Sequence, residues 1–80
     1  MRKRRVLYRL EVNYYSIDYD DRALETSIPI YSKREGLQEY RKALSEKCVD
    51  MRDRPARVHL WKYSYDISGQ FCPVTIAKNY

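Results

Sequence analysis

Hydrophobic and polar positions alternate strictly near the start of the chain. From Val6 to Tyr14, the residues Val6, Tyr8, Leu10, Val12 and Tyr14 fall on one side of an extended strand, with Leu7, Arg9, Glu11 and Asn13 on the other. A period of two predicts a strand over about Arg5 to Tyr15, with one face buried and the other free to meet a partner. Ser16 to Ala23 breaks the alternation with turn-forming acids. A second strand is expected from about Leu24 to Tyr31, with Thr26, Ile28 and Ile30 on one face. Pro29 cannot donate to a ladder, so it marks an edge strand or a strand end. The two strands predict an antiparallel hairpin with a loop longer than the tightest type.

The period then changes to steps of three and four. Ser32-Lys33-Arg34-Glu35 has the spacing of a capping box, in which the Ser hydroxyl accepts the Glu35 backbone N–H and the Glu carboxylate reaches back to the Ser N–H. Leu37, Tyr40, Leu44 and Cys48 follow as a narrow apolar stripe, with Arg34, Glu39, Arg41, Lys42, Glu46 and Lys47 mostly on the solvated side. Gly36 weakens the first turn by about 1 kcal/mol relative to Ala. The helix is expected to end near Cys48 to Asp50, before a connector from Met51 to Pro55.

Strand-like patterning returns from Ala56 to Asp66, Ser68-Gly69 makes a turn, and a last strand spans about Phe71 to Ala77. Pro73 pushes that strand toward the sheet edge. The prediction is an α+β domain of order ββαββ: a single, mostly antiparallel four-stranded sheet with one helix packed on one face. Residues 5–80 form the domain and residues 1–4 a basic arm, since a chain this short supports one small core.

Two arrangements of the third strand are open. Val58 and Leu60 favour one face as core, whereas Trp61, Tyr63 and Tyr65 make an equally apolar face on the other side. One helix cannot cover both. The reading favours burial of Val58 and Leu60, with the aromatic row outside.

Nine Tyr residues suit half-exposed sheet positions, because the ring buries area while the hydroxyl stays polar. The net charge is +5, of which Arg2, Lys3, Arg4 and Arg5 supply +4. The basic balance is therefore mostly a short arm, a device for gripping phosphates or acidic protein surface. Asp18, Asp20 and Asp21 place acid near the tip of the first hairpin. No apolar run approaches the length of a membrane span, and Arg9 and Glu11 interrupt any signal-peptide core. Cys48 and Cys72 are too few for a disulfide framework, and two reduced, partly buried thiols in a cytoplasmic protein are expected.

Catalysis has little support. His59 is the only histidine, no nucleophile sits in a motif, and Gly36 and Gly69 cannot make a phosphate loop. The three Asp residues lack the glycine and distal Glu of a calcium loop, and no Cys/His spacing suits zinc. No cofactor, metal site or enzymatic activity is expected.

Binding fits the residue types better. Arg2, Lys3, Arg4, Arg5, Arg9, Arg57, His59, Trp61, Tyr63 and Tyr65 are the candidate partner-binding residues. Bases stack on exposed aromatics while cations track phosphates, so nucleic acid is the favoured partner. The same residue types are enriched at protein–protein hot spots, which leaves a host-protein partner or a homodimer as alternatives. The strand pair followed by Tyr31-Ser32-Lys33-Arg34-Glu35 resembles the strand-to-helix junction of arm-type DNA-binding domains of phage and transposon integrases. That likeness covers less than half of the chain, and two strands after the helix depart from it. In size, the chain is similar to small accessory proteins of phages and mobile elements, including anti-CRISPR inhibitors of host proteins, which share no motif.

Overall fold

The computed structural model describes residues 5–16, 21–46 and 56–80. In chain order the elements are β1 (Tyr8–Ser16), β2 (Asp21–Ile30), α1 (Lys33–Glu46), β3 (Arg57–Lys62) and β4 (Val74–Lys78). The four strands form one antiparallel sheet in the order β2-β1-β3-β4. Both the α+β class and the ββαββ order expected from the sequence are observed.

The longest alternating segment occupies an inner position, and Pro29 and Pro73 fall at the edges. Tyr63 N–H donates to the Leu7 carbonyl at 3.0 Å, so the odd-numbered residues of β1 bond toward β3 and the even-numbered ones toward β2. Pro29 lies opposite Arg9, which turns its nitrogen outward, where no ladder bond is lost. Pro73 immediately precedes β4, the other edge strand. Since β2 and β3 both run antiparallel to β1, they are parallel to each other, and α1 is the crossover that joins them. A crossover helix has to lie across one face.

That face is the core. Tyr8, Leu10, Val12, Ile30, Ala56, Val58 and Leu60 are buried, with Leu37, Tyr40, Ala43 and Leu44 of α1 packed on them. Each fully buried Leu, Ile or Val contributes roughly 1.5–3 kcal/mol. The Ser32 half of the expected capping box is present: Glu35 N–H donates to Ser32 Oγ at 3.2 Å, and Gly36 N–H donates to the Ser32 carbonyl at 2.9 Å. Gly36 has a second role. A Cβ at this position would stand 3.0 Å from Leu60 Cδ1 and 3.2 Å from Ile30 Cγ2, so its missing side chain lets the helix settle onto the sheet.

The strand limits differ from the expected ones. β1 starts at Tyr8 rather than Arg5, and Val6 and Leu7 ahead of it are more than one-third exposed. β2 starts at Asp21, already paired with Ser16, so part of the expected acidic turn belongs to the strand. Asp18, Asp20, Cys48 and the Met51–Pro55 connector lie outside the described residues. Ile28, expected on one face with Ile30, is 36% exposed, whereas Ile30 is buried. Between β2 and α1 lies a groove of about 210 Å³, with Thr26 and Ile28 on one side and Glu39 and Ala43 on the other.

β3 ends at Lys62 rather than Asp66, and β4 begins at Val74 rather than Phe71. Beyond the continuous ladder, Tyr65 and Phe71 meet in an isolated bridge, and Cys72 N–H donates to the Ser64 carbonyl at 2.8 Å. The Ser68-Gly69 turn is present. Gly69 N–H donates to the Asp66 carbonyl at 3.0 Å and Asp66 N–H to the Gln70 carbonyl at 2.9 Å, while Gly69 takes φ 86°. This is a turn followed by a left-handed residue, a position where glycine is unstrained. Asp66 Oδ1 accepts Ser68 Oγ–H at 2.6 Å and Gln70 N–H at 2.9 Å. The Ser68 hydroxyl first, then the Gln70 amide, hold the Asp66 carboxyl below its usual value of 3.8.

Candidate binding face

With Val58 and Leu60 under the helix, the intervening side chains of β3 go to the other side of the sheet. The observed arrangement is therefore the one with the aromatic row outside the core. Register aligns Arg9 with Trp61, Glu11 with His59 and Asn13 with Arg57. The bulge between Leu60 and Trp61 in the β3–β4 pairing brings Thr75 opposite Trp61 and Lys78 opposite His59. Ile76 is the extra residue, and it and Ala77 both pack against the core.

Polar groups on this face are tied together across strands. Arg9 Nε donates to Tyr63 Oη at 3.0 Å, and its Nη1 donates to Ser27 Oγ at 3.1 Å. Trp61 Nε1 donates to Glu11 Oε1 at 3.0 Å. His59 Nε2 lies 2.8 Å from Thr75 Oγ1. At one end, the Tyr80 ring gathers cations: Arg57 Cζ is 5.4 Å and Lys78 Nζ 5.2 Å from its centroid, both within cation–π range. The His59 ring meets the Tyr80 ring edge-on at 6.2 Å.

Toward the hairpin the rings form a continuous file. Trp61 and Tyr63 pack at 4.7 Å, Phe71 lies 5.7 Å from Trp61 and 5.8 Å from Tyr63, and Tyr65 lies 5.9 Å from Phe71. Trp61 and Tyr63 are half-buried by this packing. Phe71, Tyr65 and Tyr80 are 53%, 63% and 56% exposed, so accessible ring surface lies at both ends of the face.

Of the candidate residues, Arg9, Arg57, His59, Trp61 and Tyr63 come together on this one surface, and Tyr65 joins them through Phe71. Arg5 is exposed ahead of β1. Arg2, Lys3 and Arg4 lie outside the described residues. Sequence reasoning missed Phe71, Lys78 and Tyr80. Phe71 was within reach, because a three-residue loop from Ile67 to Gly69 pairs Asp66 with Gln70 and Tyr65 with Phe71. Lys78 and Tyr80 were hidden by the bulge at Ile76, which shifts the alternation of the last strand by one residue.

Among the described residues, no three His, Cys, Asp or Glu side chains form a group able to hold a metal ion. No described helix is long and apolar enough to cross a membrane. Cys72 is exposed and free rather than partly buried, because it lies outside the continuous ladder in the loop that leads into β4. Among the described residues, the fold and this surface define a small α+β domain with one sheet face covered by the helix and the other uncovered. No protein-family model matches the chain, and no curated protein or solved structure matches it.

Proposed function

We propose that the chain is a small, non-enzymatic nucleic-acid-binding protein that holds its ligand on the uncovered sheet face. The observation that carries this reading is the placement of Arg57, Lys78 and Tyr80 beside a continuous file of aromatic rings on one surface. Cations supply sequence-independent attraction to phosphates, and exposed rings supply stacking that tolerates any base. Arg2, Lys3, Arg4 and Arg5 add charge that supports the initial encounter.

A second reading is favoured by one feature, the hairpin tip. Ile67 is fully exposed there between Tyr65 and Phe71, the form of an apolar anchor for a pocket on another protein. An inhibitor of a host protein, of the kind made by phages and mobile elements, would use it that way.

Titration of Trp61 fluorescence with single- and double-stranded oligonucleotides at two salt concentrations tests the first reading. Binding that weakens steeply with salt is expected. Absence of binding to either form at low salt would end it. Recovery of one defined protein from nuclease-treated lysate, lost on Ile67→Asp, would then favour the second.

A further inference from the structure

We infer that the ligand of the uncovered face is a single strand covering roughly four to seven nucleotides, its phosphates held at the Arg57–Lys78 end and its bases stacked toward Phe71. This inference rests on the nucleic-acid reading above and assigns the strandedness, length and polarity of that site.

Shape excludes the duplex groove. Four strands about 4.8 Å apart make a face broader than the roughly 12 Å major groove, and Arg57 and Lys78 lie on that face rather than on a projecting element. A single strand has no such constraint, since its unpaired bases turn onto flat surfaces.

Length follows from where the accessible rings sit. Tyr80 lies beside Arg57 and His59, whereas Phe71 lies beside Tyr63 and Tyr65. The stretch of chain between those levels spans roughly 20–25 Å at about 3.3 Å per residue. Bases stacked about 3.4 Å apart fill that span with no more than about seven nucleotides, and a more extended strand fills it with fewer.

Polarity follows from the separation of charge and ring surface. Arg57 and Lys78 converge on Tyr80. From Tyr63 to Val74 the only charged residue is Asp66, whose Oδ1 accepts the Ser68 hydroxyl and the Gln70 N–H. The exposed cations of β3 and β4 on this face are thus at one end, whereas Arg9, nearer the other, is engaged by Tyr63 and Ser27. At the other, Phe71 and Tyr65 offer rings without cations from their own hairpin.

The two ends have different signatures in one experiment. Labelled oligothymidines of two to twelve nucleotides, and a duplex of the same label, are titrated by fluorescence anisotropy against the full chain over a range of salt. Affinity is expected to rise with length and level off between about four and seven nucleotides, with the duplex binding more weakly. Arg57→Ala and Lys78→Ala should each flatten the dependence of log affinity on log salt by about 0.7. Phe71→Ala should weaken binding roughly 5- to 150-fold with that slope unchanged. Phe71 is exposed, so a retained circular-dichroism melt shows that its loss acts on binding and not on folding. Duplex binding as tight as single-strand binding, a length dependence that does not level off in this range, or an unaffected Phe71→Ala variant overturns the inference while leaving nucleic-acid binding in place. Absence of binding to every oligonucleotide at low salt overturns both.

Discussion

The indole N–H of Trp61 donates to Glu11 Oε1 at 3.0 Å, from β3 to β1 across the uncovered face. Because Trp61 faces Arg9 and Glu11 faces His59 in the register, the bond runs diagonally and locks the indole in place. It also leaves the Glu11 carboxylate on the same face as Arg9, Arg57 and Lys78. Glu11→Gln keeps an acceptor for the indole and removes that charge. Affinity for oligothymidine should rise about two- to fivefold at low salt, the scale of one exposed charge pair in water, and the thermal midpoint should hold. Weaker binding by anisotropy would count against a polyanionic ligand.

Gly36→Ala sets two effects against each other. Helix propensity favours Ala by about 1 kcal/mol. The new methyl, however, would stand 3.0 Å from Leu60 Cδ1, and Leu60 is fully buried, so nothing can give way cheaply. Overpacking of this kind costs about 1–3 kcal/mol, and net destabilisation is expected in urea unfolding. Leu60→Val in the same background should recover part of the loss. A stabilised Gly36→Ala variant would show that the helix stands farther from the sheet.

Much of this architecture was legible because each local signal had one cause. Tyr8, Leu10 and Val12 alternate because one helix covers one face. Pro29 and Pro73 belong at edges because neither can donate, and Ser32 caps because its hydroxyl reaches Glu35. The third strand was harder. Val58 and Leu60 compete with Trp61 and Tyr63 on hydrophobicity alone, and the decision rests on fit. Leu60 fits beneath Gly36, whereas the rings pack edge-on against one another outside. Tyr80 and Lys78 were illegible for a different reason. A bulge at Ile76 shifts the alternation by one residue, and no local composition announces it.

Asn79 ends the sheet with its side chain. Its backbone N–H donates to the Val58 carbonyl at 3.2 Å. Its Oδ1 accepts Val58 N–H at 2.8 Å, and its Nδ2 donates to the Ala56 carbonyl at 2.7 Å. The carboxamide thus takes the place of a peptide group beside two buried residues. Asn79→Ala leaves both partners unsatisfied and should cost about 1–3 kcal/mol in chemical denaturation. Asn79→Asp, which keeps only the acceptor, should fall between. Equal stability of all three proteins would remove Asn79 from this role.

Asp66 gives the hairpin tip a pH dependence of known sign. Its folded pKa is lowered, chiefly by the Ser68 hydroxyl and then the Gln70 amide. The carboxylate therefore supports the turn fully above the unfolded value of 3.8 and loses that support as pH falls through the lower folded value. The carboxylate is fully exposed, so a local probe is the right one. The Gln70 amide resonance should move with a midpoint below that of an ordinary aspartate, and Asp66→Asn should abolish the transition. A midpoint at or above the ordinary value would contradict the turn geometry.

Leu60 and Trp61 are sequence neighbours with opposite expected consequences. Leu60 is fully buried beneath α1, so Leu60→Ala removes transfer energy and leaves a cavity, at a cost of about 2–5 kcal/mol. In a domain this small, that is a large share of total stability. Trp61 is only half-buried, on the uncovered face, where its losses are ring packing with Tyr63 and Phe71 and the bond to Glu11. Trp61→Ala should therefore keep a cooperative melt while weakening oligothymidine binding, because the ring file loses its middle. Deleting Met1 to Arg4 should weaken binding too, most at low salt, since that loss is purely one of charge. Circular dichroism and anisotropy on the same samples separate the effects. If Trp61→Ala abolishes the cooperative transition as Leu60→Ala threatens to, the indole belongs to the core and the uncovered face loses its claim as a binding surface.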